Sequence, residues 1–378
     1  MPASRKASST TGVITVTGWG RLINGSLNLF ECILIAGKAL PKRPSVLNCA
    51  HKNWAHYTIP AGTVQHSMFN STHTFIGFTI ARTGLDKWVP KAAVTAVIAA
   101  NLPDIDIVFD LGGVPSYIEH HRGISHSIVG IPLLSLALAG GMYIFTKNFW
   151  RTFVLALLVM ATHPALDYSN PYGLRPFLPF NGSWYYGDTL FILDPVIDFI
   201  LLLGIVVGAV FKRAKPAMAY VSMLIALLYI GVRINARNTA RHDLAGYTSK
   251  ITDYEASAVL PRFMNMRMWD GIVRTEDSVV KMRIDTETGT VTEVARLPKI
   301  KNTRIIDAAA ATRTARAVLG FARFPVTRVH RTENGYRVTF LDFRFYDEVN
   351  HMSFAADVEL DHAMNVTSES LAFNERIE

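Results

Sequence analysis

The stretch "HHRGISHS" (120–127) places three histidines and an arginine within eight residues, directly ahead of an apolar run. Imidazole nitrogens bind first-row metal ions and exchange protons near neutral pH, so the octet raises both kinds of chemistry at once. A single histidine beside an apolar face is ordinarily a satisfied core residue; three in one octet carry more weight. His73, Asp104, Asp106, His163 and Asp167 extend the set. His163 and Asp167 are four positions apart, so on a helix they project from one face. Asp104 and Asp106 are two apart, which in extended backbone would aim them the same way. Imidazole nitrogen with carboxylate oxygen suits Zn²⁺, Mn²⁺ or Fe²⁺. Both cysteines, Cys32 and Cys49, precede residue 68, so a thiolate site is not open to the rest of the chain.

Delivering such groups to one place requires ordered elements, and hydropathy supplies them. Of the 378 residues 50% are hydrophobic and 18% are charged. The apolar residues gather into four long runs at 127–146, 149–167, 190–211 and 217–235, each near the length that crosses a hydrocarbon core of about 30 Å. Two shorter runs, 73–82 and 91–103, would form helices of roughly 15 and 20 Å, a half-buried hairpin whose second helix ends at Pro103. The expected fold is mainly α: a polytopic transmembrane bundle of four long helices plus a short N-terminal helical hairpin, spanning 68–240. After about residue 245 the pattern changes to period two, with "SVVKMRIDTETGTVTEVARL" reading as a hairpin and "DAAAATRTARAVLGFA" as a helix. That is a soluble α+β domain, 245–378.

If the helices run up and down in turn, the ends carrying His73, Asp104, Asp106, His121, His126, His163 and Asp167 all fall on one side, with Asp194 near the start of the fifth helix. The opposite turns hold Arg82, Lys87, Lys91, Lys147, Arg151, Lys212, Arg213 and Lys215. Seven candidate ligands exceed one open tetrahedral ion and suit a pair of ions about 3.5–4 Å apart, the arrangement that clamps both oxygens of a phosphoester during hydrolysis. His120 and Asp194 form a second tier, with Asp110 and Glu119, because solvated loop positions explain them as well. The excess of basic residues on the opposite turns places the site and the C-terminal domain outside the cytoplasm.

The formal charge is +8, but residues 1–67 hold seven Lys/Arg against one acid, Glu31, and so account for +6 of it. No basic stripe interleaved with aromatics occurs downstream, which excludes a nucleic-acid footprint. The leader's best apolar patch, "LFECILIAG", is interrupted by Glu31 and is no clean signal peptide. Residues 1–67 read as an unstructured leader, or as a mis-assigned start whose true start is Met68; the second is preferred, because organised sequence begins there.

Five segments, "STHTFIGFTIAR", "NLPDIDIVF", "HHRGISHS", "ATHPALDYSNPYGLRPFLPF" and "DTLFILDPVID", resemble the YdjM/YbcI-type family of membrane-bound metal-dependent hydrolases, in that family's order. The resemblance covers about residues 70–200. It implies a multi-pass protein of the bacterial inner membrane with a hydrolase site, and it matches the seven candidate ligands to the family's ligand positions. It gives Arg122 the motif's arginine, able to hold a phosphate or carboxylate oxygen, and makes Asn170, Tyr172 and Arg175 a loop over the site. The expected activity is hydrolysis of a phosphoester or lipid-linked substrate by metal-activated water, with Arg122 neutralising developing charge and Asp106 or Asp167 accepting the proton. The partner is the lipid bilayer. Two rival readings use the same residues: a divalent-metal transporter, or a membrane sensor or assembly protein with a structural metal site. A transporter would distribute its ligands through the helix middles, whereas here they cluster at helix ends.

Overall fold

The computed structural model describes residues 71–300, 303–346 and 352–376; the expectation for residues 1–67 lies outside them. Seven α-helices make the first half: α1 (Ser71–Arg82), α2 (Ala92–Asn101), α3 (Val114–His120), α4 (Gly130–Thr146), α5 (Phe149–Ser169), α6 (Pro195–Val210) and α7 (Lys215–Thr248). Their packing is inverted relative to a water-soluble bundle. Trp150, Leu158, Phe199, Val206, Leu224 and Leu228 face outward, while Ala81, Ala96, Ala99, Ala100 and Ala156 fill the interior. Small residues let helix backbones approach closely where hydrocarbon surrounds them. At Gly77 of α1 a Cβ would lie 2.7 Å from the Ala100 Cβ and 2.8 Å from the Ala96 carbonyl of α2.

Three segments are long and apolar enough to cross a membrane: Ala92–Gly112, Phe149–Ser169 and Lys212–Thr248. A fourth is counted if Val114–His126 and Gly130–Thr146, bent by 76°, act as one span. The four runs expected to span therefore differ in kind. Those in α5 and α7 are single helices of membrane length, whereas α4 has 17 residues and α6 has 16.

The second helix of the hairpin is corrected in the other direction. It does not end at Pro103. Proline withdraws one N–H from the α ladder but is tolerated at the start of a helical turn, so the chain tightens into a 3-10 helix over Leu102–Gly112. The "DID" segment is thus helical and not extended. With about three residues per turn the two side chains leave the helix in different directions, yet carboxylate oxygens of Asp104 and Asp106 come within 4.8 Å of one another beside His121.

Helix α7 passes residues 240–245 without a break, and Ala240 and Leu244 near its end bury themselves among Val259, Trp269 and Met282 of the first sheet. That sheet has antiparallel order β1–β2–β3–β4 (Tyr254–Arg262, Asn265–Thr275, Ser278–Asp285, Thr290–Pro298). The hairpin read around "TETG" is β3–β4, closed by the Asp285–Thr290 pair. The single helix read in "DAAAATRTARAVLGFA" is two, α8 (Arg304–Ala310) and α9 (Arg313–Phe321). Thr312 separates them, its hydroxyl accepting from the Ala315 N–H at 3.3 Å as an N-cap. A second antiparallel sheet follows, β5–β6–β7–β8 (Pro325–Thr332, Gly335–Asp342, Met352–Asp361, Val366–Arg376). Its inner face, with Val338, Phe340 and Val358, packs on Ile306 and Val318 of the two helices.

Candidate metal centre

The ends of four helical segments deliver the seven candidate ligands to one buried place. His73 enters from the first turn of α1, and Asp104 and Asp106 from the 3-10 helix that prolongs α2. His121 and His126 come from the turns between α3 and α4, and His163 and Asp167 from successive turns of the buried face of α5. The turn before α4 is tight because residue 130 is glycine: a Cβ there would lie 1.8 Å from the Ile124 carbonyl oxygen. Ser127, the last residue of the octet, closes it by accepting from the Gly130 N–H at 3.0 Å.

Hydrogen bonds fix which ring atoms look inward. Nδ1 of His163 lies 2.6 Å from the Ala100 carbonyl oxygen. A carbonyl only accepts, so Nδ1 carries the hydrogen and Nε2 of the neutral ring presents a lone pair. Nδ1 of His126 lies 2.9 Å from Ser125 Oγ, and that hydroxyl donates onward to Asp106 Oδ2 at 3.1 Å, so this Nδ1 donates as well. Each Nε2 then stands 3.4 Å from Asp104 Oδ1 and 3.3 Å from Asp167 Oδ2. Both Nε2 atoms and Asp167 Oδ2 are buried without a hydrogen-bond partner among the described residues.

Lone pairs and carboxylate oxygens facing one another repel unless a cation lies among them. A proton on Nε2 would draw the atoms to about 2.7–3.2 Å. Two ligand atoms each about 2.0–2.1 Å from one ion, at a tetrahedral angle, stand about 3.3–3.4 Å apart. The observed spacing is the second, so these residues fit a divalent ion. Two further groups overlap the first: His73, His163 and Asp167, and Asp104, Asp106 and His121. All seven candidates thus fall into three groups able to hold an ion, with His163 and Asp104 shared.

Residues 68–240 match the YdjM inner membrane protein family. Residues 304–376 match the YfhP C-terminal alpha/beta plait domain. The chain is 25% identical over 312 residues to the uncharacterized protein YfhP of Bacillus subtilis (strain 168), covering 80% of this chain and 94% of that one. No solved structure matches.

Around the ligands of the YdjM-matched half lies a shell of positioning contacts. Asp106 takes the His121 Nδ1 at 3.0 Å on one oxygen, and the Arg122 N–H at 3.0 Å on the other together with Ser125. Arg122, at φ 53° in the left-handed region, sends its guanidinium to Asp167 Oδ1 at 2.8 Å and to Asn170 Oδ1 at 3.0 Å. It lies 4.6 Å from the centre of the Tyr172 ring, and its side chain is 2% exposed. Arg122 therefore braces a ligand and the loop that follows α5. Asn170 Oδ1 also accepts from the Tyr172 N–H at 2.9 Å. Burial pushes the Tyr172 hydroxyl up to about 12, so the ring packs as a neutral group. Arg175 donates to the Glu119 carbonyl at 2.5 Å and lies over Trp184, at the rim.

Of the two second-tier residues, His120 stands apart, while Asp194 joins none of the ligand groups but lines the cavity that reaches them. His120 binds the Ser116 carbonyl at 2.8 Å and stacks on Phe109, away from the cluster. Asp194 caps α6 through the Val196 N–H at 3.1 Å and accepts from the Tyr229 hydroxyl at 3.0 Å. A cavity of about 30 Å³ reaches the cluster between α1 and the segment 190–192. Thr72, His73, Asp167, Asn170 and Asp194 line its polar side; Leu166, Leu190, Phe191, Ile192 and Ile197 line the apolar one. Sequence reasoning missed Ser125 and the Ala100 carbonyl. Ser125 was within reach, since it sits inside the octet. The carbonyl was not, because 63 positions separate it from His163.

Proposed function

We propose that the helical half is a metal-dependent hydrolase acting on a phosphoester with an apolar portion, such as a lipid-linked phosphate. The observation that carries the reading is that His126 Nε2, His163 Nε2 and Asp167 Oδ2 converge, buried and without a hydrogen-bond partner among the described residues, each Nε2 3.3 Å from Asp167 Oδ2 and 3.4 Å from Asp104 Oδ1. Asp104 belongs to two of the ligand groups and would contribute a carboxylate oxygen to an ion held by either. Bound divalent ions supply Lewis acidity and an activated water.

The chain's own residues supply the rest. Asp106, whose oxygens already accept from His121, Arg122 and Ser125, orients two of the histidines. The proton-accepting role therefore falls to Asp167 with His73, which meet the cavity 3.7 Å apart. Arg122 Nη2 lies 2.8 Å from Asp167 Oδ1 and aims the carboxylate. The cavity has room for a water-sized group beside His73 and Asp167, and the apolar portion of the substrate would lie against Leu190, Phe191 and Ile192, which border it. The candidate ligands lie at helix ends, which favours this reading over a transporter. The basic turns around Arg82–Lys91, Lys147–Arg151 and Lys212–Lys215 support a site on the non-cytoplasmic face; a reporter fused after Glu378 that works only in the cytoplasm would refute that side.

The activity is tested on protein purified in detergent, by metal analysis and by hydrolysis of phospholipid and soluble phosphoester panels. His126→Ala and Asp167→Ala are expected to lose bound metal and activity together, while His120→Ala keeps both. Full metal occupancy in His126→Ala would overturn the ligand assignment.

A further inference from the structure

We infer that the C-terminal domain completes the metal centre, with Arg344 as the positioning residue that joins them; the inference rests on the metal reading above. Arg344 follows β6, and its side chain and that of Asp342 are both 0% exposed. Its Nε donates to Asp342 Oδ2 at 2.7 Å and its Nη2 to the Phe321 carbonyl at 3.1 Å, both within the domain. Its Nη1 crosses to the helical half, donating to the Pro171 carbonyl at 2.6 Å and the Tyr172 carbonyl at 3.3 Å. Those two residues begin the loop that covers the metal centre. The contacts then run without a gap: Arg344 holds the Tyr172 backbone, the Tyr172 ring lies on Arg122, and Arg122 holds Asp167.

A second set of contacts fixes the same loop. Phe321 of α9 packs on Tyr172 with ring centres 4.5 Å apart, and the Trp184 indole donates to the Gly320 carbonyl at 3.2 Å. Arg323 pairs with Asp188 at 2.8 Å. The loop thus has one edge on the metal ligands and the other on the C-terminal domain. A planar guanidinium reaches a carboxylate and carbonyls on both sides at once; a lysine ammonium offers the charge without the fork.

The test is a Co²⁺ titration of the full-length protein in detergent, followed by visible absorption, with wild type, Arg344→Lys and Phe321→Leu. Wild type is expected to bind Co²⁺ with d–d bands of a low-symmetry N/O site. Arg344→Lys should bind about tenfold more weakly, as loss of an outer-shell partner does, and with altered bands. Phe321→Leu should move affinity and bands in the same direction by less, and it decides the matter if the lysine variant does not fold. Absence of Co²⁺ binding by wild type would sink the metal reading. Binding by wild type, matched in affinity and spectrum by the folded variants, would sink this inference alone.

Discussion

Arg344 and Asp342 in the C-terminal domain, and His126, His163, Asp104 and Asp167 in the helical half, are two sets of ionisable side chains removed from water. The first set is closed: a carboxylate and a guanidinium in contact at 2.6 Å, with the remaining donors on carbonyls. Burial alone would lower the Arg344 pKa, but the Asp342 carboxylate outweighs it and holds the guanidinium above its ordinary value. The second set is open: separations are 3.3–3.4 Å, and His126 Nε2, His163 Nε2 and Asp167 Oδ2 lack hydrogen bonds among the described residues. Burying a charge is costly unless it is paired, so an open set is kept for something that joins it. Spacing and satisfaction, more than residue type, separate a structural ion pair from a ligand site.

The contrast is broken most forcefully at the closed pair. Asp342→Ala leaves a buried guanidinium without its carboxylate and should cost about 3–5 kcal/mol of stability, with or without chelator, read by chemical unfolding in detergent. A loss that disappeared in EDTA would make this pair part of the ligand site. The open set should answer in the opposite way. His163→Leu removes the unpartnered Nε2 acceptor together with the Nδ1 hydrogen bond to the Ala100 carbonyl, two effects of opposite sign, so the chelated protein should melt close to the wild-type temperature. Wild type at a hundredfold excess of metal over Kd should gain about 2.7 kcal/mol, and His163→Leu none of it. A destabilised chelated variant would mean that the histidine is structural.

A smaller effect sharpens the comparison within the site. Ser125→Ala frees the His126 tautomer and should weaken metal binding about 10–100-fold while leaving the chelated melting temperature alone. Calorimetric titration with Zn²⁺ measures it, and unchanged affinity would remove Ser125 from the argument. The smallest effect is expected at an exposed pair. Contact with Arg267 lowers the Asp285 pKa below its ordinary value of 3.8. An acid whose folded pKa is depressed stabilises fully above the unfolded value and loses that contribution as pH falls toward the folded one. Asp285→Asn should therefore leave the metal centre untouched and flatten the acid limb of the stability profile only below about pH 4. An effect at neutral pH larger than that of Ser125→Ala would reverse the ranking.

The convergence of the seven candidate residues was legible because alternating helices send their polar ends to one side, and the costs of burial leave few positions for ionisable groups in apolar helices. The different tasks of Asp104 and Asp106 were not legible, because a 3-10 helix leaves no periodic signature that separates it from an extended loop. In the C-terminal half the "TETG" hairpin announced itself through turn residues and alternation. The break at Thr312 did not, since an alanine-rich stretch favours helix on both sides of it. Arg344 was invisible as a site element, for its partners at Pro171 and Tyr172 lie 173 and 172 positions away.

Helix α7 has 34 residues, so it extends about 51 Å, against a hydrocarbon thickness of about 30 Å. Its far end is locked into the first sheet by Ala240 and Leu244, and partway along it Arg233 donates to the Asn265 carbonyl at 2.6 Å. A helix with no joint between bilayer and sheet works as a lever. When the surrounding membrane thins or thickens, the helix answers mismatch by tilting, and the tilt swings the attached sheet through an arc instead of being absorbed in a linker. Because the same C-terminal half holds the loop over the candidate ligands through Arg344, such a swing would be felt at that loop.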